Sequence, residues 1–149
     1  MADQNVSRRS SDESLFVELW SSRLPIWAWF AEHNWLVVLR PQQIDRWEIW
    51  QHADKGGQSW GHLHRNLFAA DTGVRQNPST RVHRWVGDQA IELAQRIESS
   101  PQVYPWCQTY RYAPGPNSNT YVQWCLQDRY RLGWRAIGRG FQSVGKPRD

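Results

Sequence analysis

Ser118 stands in "PGPNSNTYVQ", after a turn built from Pro114, Gly115 and Pro116 and at the start of an apolar, helix-like run. A hydroxyl is a poor nucleophile until a neighbouring base takes its proton. Asn117 has N-cap chemistry, so Ser118 falls in the first turn of a helix, where unpaired N–H groups and the positive end of the dipole favour negative charge. Such a position can stabilise an oxyanion. Ser118, Val122 and Cys125 follow an i, i+4, i+7 spacing, which places the serine above the face that packs on the core and aims it at a sheet. The base must then come from a strand. His33, ahead of "NWLVV", fits, as do His62 and His64 in "HLHRN", and the third member of a triad would come from His62, His64 or Asp71. Asn119, Thr120, Trp35 and His64 are the candidate substrate contacts around Ser118 and His33. The same atoms support a second reading, because Asn-Ser-Asn-Thr is also good capping chemistry that needs no catalysis.

The elements that must position these residues can be read from the apolar pattern. "SLFVELWSSR", residues 14–23, contains i, i+4 apolar pairs and precedes Pro25, which predicts a short helix. "NWLVVLRP" from Asn34 is a compact, valine-rich run closed by proline, so it reads as a buried strand. "RWEIWQH" is its partner strand. "DKGG" supplies a turn before "SWGHLHRNLF", which gives an antiparallel meander of three or more strands. After a loop through "DTGVRQNPST", the segment "GDQAIELAQRIESSP" reads as a helix capped by Asp88, with Ala90, Ile91, Ala94 and Ile97 on one stripe and Pro101 at its end. "PQVYPWCQTYRYAPGP" reads as a further strand or extended loop, and "SNTYVQWCLQD" as the second helix of the site. These elements make an α+β domain, an antiparallel sheet packed with helices.

Composition narrows the functional classes. A chain of 149 residues is the size of one domain with a core of its own. Residues 1–13 are polar and without period, so they read as a disordered segment ahead of one domain over 14–149. Six basic residues against two acidic ones follow Gln127, so the whole net charge of +4 sits at that end. Arg129, Arg131, Arg135 and Arg139 among aromatics could hold a nucleic acid, but no nucleic-acid motif accompanies them, which favours a solvated basic end. Eleven tryptophans without a fixed period argue against a repeat. They fill the core or form an aromatic surface for a protein partner, with Trp27 and Trp29 in "LPIWAWF" as candidates. Cys107 and Cys125 are too few for a disulfide framework and lack zinc spacing. No apolar run reaches membrane-span length, and no secretory pattern opens the chain, so a cytoplasmic setting with reduced thiols is expected. No cofactor loop or metal motif is present; His62 and His64 make at most half a metal site.

"NSNTYV" is similar to the Asn-Cys-x-x-Phe-Val signature of circularly permuted papain-like proteins, the group containing lecithin retinol acyltransferase and NlpC-type relatives, and "HNWLVV" to their histidine-plus-strand motif. The histidine precedes the nucleophile here, as in that permuted order. More closely, "YRYAPGPNSNTYVQW", "AIELAQRIESSP" and "RAIGRGF" resemble a bacterial family catalogued as domain of unknown function 3750, over most of the chain from about His33 to Phe141. The resemblance implies a permuted papain-like fold, with His33 as general base, Ser118 as nucleophile and Asn117 beside it. Serine stands where those enzymes use cysteine, whose thiol ionises more readily. Two functional classes therefore stay open. One is a hydrolase or acyltransferase acting on an amide, ester or thioester; the other is a catalytically silent binding or assembly subunit using its tryptophans and basic end.

Overall fold

Val17 and Leu19 alternate with Glu18 and Trp20, and that period of two decides the first element. The computed structural model describes residues 14–25 and 28–142. In it the segment expected to be a helix is strand β1, Phe16–Arg23. The i, i+4 apolar pairs arise because both faces of this strand are covered: Val17 and Leu19 enter the main core, while Glu18 is buried on the opposite face. Four further strands match or refine the sequence pattern, namely β2 (Glu32–Arg40), β3 (Gln43–Ile49), β4 (Gln58–Trp60) and β5 (Leu63–Arg65). A sixth strand, β6 (Ser79–Trp85), begins in the stretch expected to be a loop and runs through "RVHRW", where the pattern predicts no element. Its residues are mostly exposed because it is an edge strand, so no hydrophobic alternation marks it.

The six strands form one antiparallel sheet in the order β4-β5-β3-β2-β1-β6. Trp20 lies opposite Trp35, and Leu36 opposite Trp47. Helix α1 (Gly87–Val103) and helix α2 (Ser118–Leu126) close one face of the sheet. There Leu19, Leu36, Val38, Trp47 and Ile49 meet Leu93, Ile97, Tyr121, Val122 and Leu126 in a common core. Each fully buried aliphatic side chain contributes about 1.5–3 kcal/mol of transfer free energy. The other face carries Glu18, Trp35, Arg46 and Glu48 and is covered by the segment 66–78. Trp35 Nε1 donates to the Ala70 carbonyl at 2.8 Å, Arg46 Nη1 to the carbonyls of Ala69 and Thr72 at 2.9 and 2.6 Å, and the Val74 N–H to Ser22 Oγ at 3.0 Å.

Helix α1 differs from expectation at both ends. Val86 is its N-cap, with no side-chain cap, so Asp88 lies inside the first turn and does not cap it. Pro101 does not stop the helix, which runs on to Val103. The proline deprives the Ile97 carbonyl of its usual donor, and the Ser100 hydroxyl supplies one at 2.6 Å. The stretch from Tyr104 to Pro116 forms turns and not a strand. Its backbone is held by isolated bonds, among them the His62 N–H to the Cys107 carbonyl, the Thr109 N–H to the Trp106 carbonyl and the Arg111 N–H to the Pro116 carbonyl. The reading of residues 1–13, and the roles of Trp27, Lys146 and Arg148, lie outside the described residues.

Candidate functional site

The start of α2 is built by Asn117. Its side-chain oxygen accepts from the N–H groups of Asn119 and Thr120 at 2.9 and 3.2 Å, while Thr120 Oγ1 accepts from the Asn117 N–H at 3.1 Å, a complete capping box. The same carboxamide donates to the carbonyls of Tyr112 and Ile137. Asn119 clamps the helix to the sheet. It accepts from the backbone and side-chain nitrogens of Asn34 at 3.1 and 3.0 Å and donates to the carbonyls of Glu32 and Ile137 at 2.8 and 3.0 Å. Thr120 Oγ1 donates to the Gly138 carbonyl at 2.6 Å. Ser118 is buried, and its hydroxyl donates to the Asn34 carbonyl at 2.6 Å. The Tyr121 N–H is taken by the Asn117 carbonyl. Of the first-turn donors, only that of Ser118 itself is left by this cap.

His33 stands near the start of β2, and its Nε2 is 2.7 Å from Glu48 Oε2 on the neighbouring strand β3. Glu48 is fully buried and also accepts from Arg46 Nη2 at 2.8 Å. The Arg46 guanidinium in turn lies 3.9 Å over the Trp35 ring. Burial alone would push the Glu48 carboxyl up, but the hydrogen bond and charge of His33, with Arg46 behind them, hold it below the ordinary glutamate value. The carboxylate therefore engages the ring through Nε2, so any further proton exchange by His33 falls to its other nitrogen, Nδ1.

His33 and Ser118 line the same cavity, of about 250 Å³, at the end of the sheet where β1 and β3 finish and β2 begins. Its apolar wall is formed by Leu24, Pro25, Ala28, Ile49 and Val74, and its polar wall includes Gln51, Arg75, Tyr110 and Tyr112. The two residues also share a smaller adjoining cleft of about 40 Å³ with Glu32, Asn117 and Asn119. Helix α2 brings Asn117, Ser118 and Asn119 to one place, and β2 brings His33 beside them.

The remaining sequence candidates lie elsewhere. Trp35 is fully buried behind His33, their rings stacked 5.6 Å apart, and it does not face the cavity. His64 is fully buried, with Nδ1 against the His62 carbonyl and Nε2 accepting the Lys55 N–H. His62 bonds the Trp50 carbonyl and stacks on Tyr110, and Asp71 is exposed, its carbonyl accepting from Ser79. The partner of His33 is Glu48, which sequence reasoning missed. Its signal was there in "RWEIW", where Arg46 and Glu48 share one face of a strand hemmed by tryptophans and so must pair. Arg75 carried no such signal. Among the four basic residues, Arg129 pairs with Glu92, Arg135 lies over Trp134 and donates to the Phe30 carbonyl, and Arg139 donates to the Leu132 carbonyl. Arg131 is exposed. Among the described residues no group of three potential ligands could hold a metal ion, and no helix is long and apolar enough to cross a membrane. Cys107 and Cys125 are unpaired thiols.

A family model described as Protein of unknown function (DUF3750) matches residues 14–141, which is most of the chain. No curated protein and no solved structure matches it.

Proposed function

We propose an acyl-transfer chemistry for this chain, which belongs to the DUF3750 family: a hydrolase or acyltransferase acting on an amide, ester or thioester in the cavity at the end of the sheet. The observation that carries this reading is the shared wall, with Ser118 at a helix start and His33 held by a buried carboxylate on the same cavity. Ser118 Oγ attacks the acyl carbon, and His33 Nδ1 takes the hydroxyl proton. That proton passes to the departing amine, alcohol or thiol, and the acyl group on Ser118 then goes to water or to a second acceptor. Glu48 is a positioning residue that stabilises the imidazolium. The Ser118 N–H, which the cap leaves unused, is the candidate donor to the developing oxyanion. Before attack, the hydroxyl must turn from the Asn34 carbonyl, as often happens when an apo site tightens around its substrate. A histidine-bearing strand packed against the start of a later helix supports a permuted papain-like arrangement, and two unpaired thiols fit a reducing, cytoplasmic setting.

A second reading is favoured by one specific bond. The Ser118 hydroxyl has a single hydrogen and gives it to Asn34, while the capping box takes the N–H groups of Asn119 and Thr120. On this reading the domain is catalytically silent and binds a protein partner through Trp29 and Trp134, each 64% exposed, and Phe30 against Trp29.

Ser118→Cys separates the two. Burial pushes the Cys125 thiol up to about 12 and raises that of Cys107, and both are replaced by alanine so that the introduced thiol alone is read. On the catalytic reading, iodoacetamide alkylation of the introduced thiol rises at a pH well below the roughly 8.5 of an unperturbed cysteine, and adding His33→Ala removes that advantage. Reactivity like that of a free thiol, whether or not His33 is present, overturns catalysis and leaves the cap. Ser118→Ala must then abolish any hydrolytic or acyl-transfer activity found.

A further inference from the structure

Arg75 is a cation on the cavity wall that the protein's own charges do not answer. It lines the cavity with His33 and Ser118, and it takes part in none of the seven salt bridges among the described residues. Nearby arginines are differently placed. Arg46 is committed to Glu48 and to two carbonyls of the covering segment, Arg23 donates to the Trp29 carbonyl, and Arg135 to that of Phe30. No described acidic residue lines the cavity; Glu32 belongs to the smaller adjoining cleft, and Glu48 is neutralised behind His33 by Arg46.

The backbone adds an independent observation. Arg75 has φ +53°, in the left-handed region, while Val74 beside it is buried and tied through its N–H to Ser22. A side chain other than glycine held there costs on the order of 1–3 kcal/mol, and such strain persists where the surroundings impose it. Arg75, an exposed residue, thus stands at the rim of a cavity whose lining also includes Leu24, Pro25, Ala28, Ile49 and Val74. A planar, forked donor of this kind matches a carboxylate with two parallel hydrogen bonds, which a neutral amide cannot equal.

We propose that Arg75 determines specificity by pairing with a carboxylate on the substrate, so that the cavity takes an acyl compound with an anionic group at one end and an apolar segment beside it. This deepens the acyl-transfer reading and rests on the same cavity. The apolar segment lies against Leu24, Pro25, Ile49 and Val74, and the reacting carbonyl lies between Ser118 and His33.

Equilibrium binding tests this without turnover. The probes are 4-phenylbutyrate and its neutral isostere 4-phenylbutanamide, titrated into the full chain at low salt and followed by tryptophan fluorescence, since Trp50 lines the cavity. The carboxylate should bind about tenfold or more tightly than the amide, as expected of charge-assisted hydrogen bonds. Arg75→Gln should erase that preference, Arg75→Lys should keep part of it, and Arg131→Gln, which removes an exposed charge that does not line the cavity, should retain it. Equal affinities in the native chain, no binding of either probe, or a preference that survives Arg75→Gln would each overturn the proposal. The outcome is separable from the thiol test: an activated thiol with no carboxylate preference leaves catalysis standing on other substrates, and a carboxylate preference with an unreactive thiol leaves an anion-binding cavity without chemistry.

Discussion

Glu48 concentrates the residue-scale physics, because one carboxylate serves both an arginine and a histidine on a face of the sheet that excludes water. Burial opposes its charge, and the bonds from His33 and Arg46 outweigh burial, so its folded pKa lies below the ordinary value of 4.5. Below that ordinary value the unfolded chain binds more protons at this site than the folded one does. The stabilisation is therefore fully present above about 4.5 and is lost as pH falls through the lower folded value. Denaturation midpoints measured from pH 6 down to pH 3 should fall below about 4.5, and Glu48→Gln should shrink the fall while costing about 3 kcal/mol at pH 7, because Arg46 stays buried without its counter-charge. A pH slope unchanged by the substitution would mean that Glu48 titrates alike in both states. Arg46 is better read as a stitch than as a charge. Its remaining bonds tie the covering segment 66–78 to the sheet, so Arg46→Met keeps the volume and should still loosen that segment.

At the scale of elements, the second helix depends on a glycine twenty-one residues downstream of its cap. Gly138 has φ +93°, and a Cβ there would meet the Asn117 carboxamide, 2.6 Å from its oxygen. Gly138→Ala should thus displace the cap and cost about 2–4 kcal/mol, the sum of a lost N-cap and buried polar groups left without partners. Thermal unfolding checks it, and a change within about 0.5 kcal/mol, the range of ordinary surface substitutions, would show that the turn yields instead. The sequence carried the local half of this arrangement. Asn117 as N-cap, the strand after His33, the partner strand through Trp47 and the core face of α2 are all legible because each follows from a short-range pattern. The rest depends on long-range pairing. Strand β1 looked helical because Glu18 and Trp20 are covered as well as Val17 and Leu19, which blurs a period of two. Strand β6 was invisible because its exposed residues need only one neighbour, β1, to become a strand. The candidate site follows the same rule: the places of Ser118 at a helix start and of His33 near a strand start are readable from flanking patterns, whereas Glu48 and Arg75 come beside them only through β3 and the 66–78 segment.

On the scale of the whole molecule, the six strands among the described residues precede the two helices that seal them, so the sheet waits for its cover until the second half of the chain. Closing the loop between residue 34 and residue 119 is slow to search for, and its entropy is recovered only when the asparagine clamp forms. The tie from Asn117, Asn119 and Thr120 to the carbonyls of Ile137 and Gly138 has a further consequence, for how the molecule breathes. A stretch of turns with little core of its own fastens the roof of the cavity, so opening that stretch should release the helix start while the sheet stays shut. In hydrogen–deuterium exchange the amides of Asn119 and Thr120 should then open together with those of Ile137 and Arg139, well before Leu36 and Val38 in the sheet. Equal protection in both sets would mean that the domain opens only as one unit. If the two sets separate, the cavity has a clasp: a ligand can enter and leave, and a partner that grips the downstream turns can hold the cavity open or shut without touching Ser118 or His33.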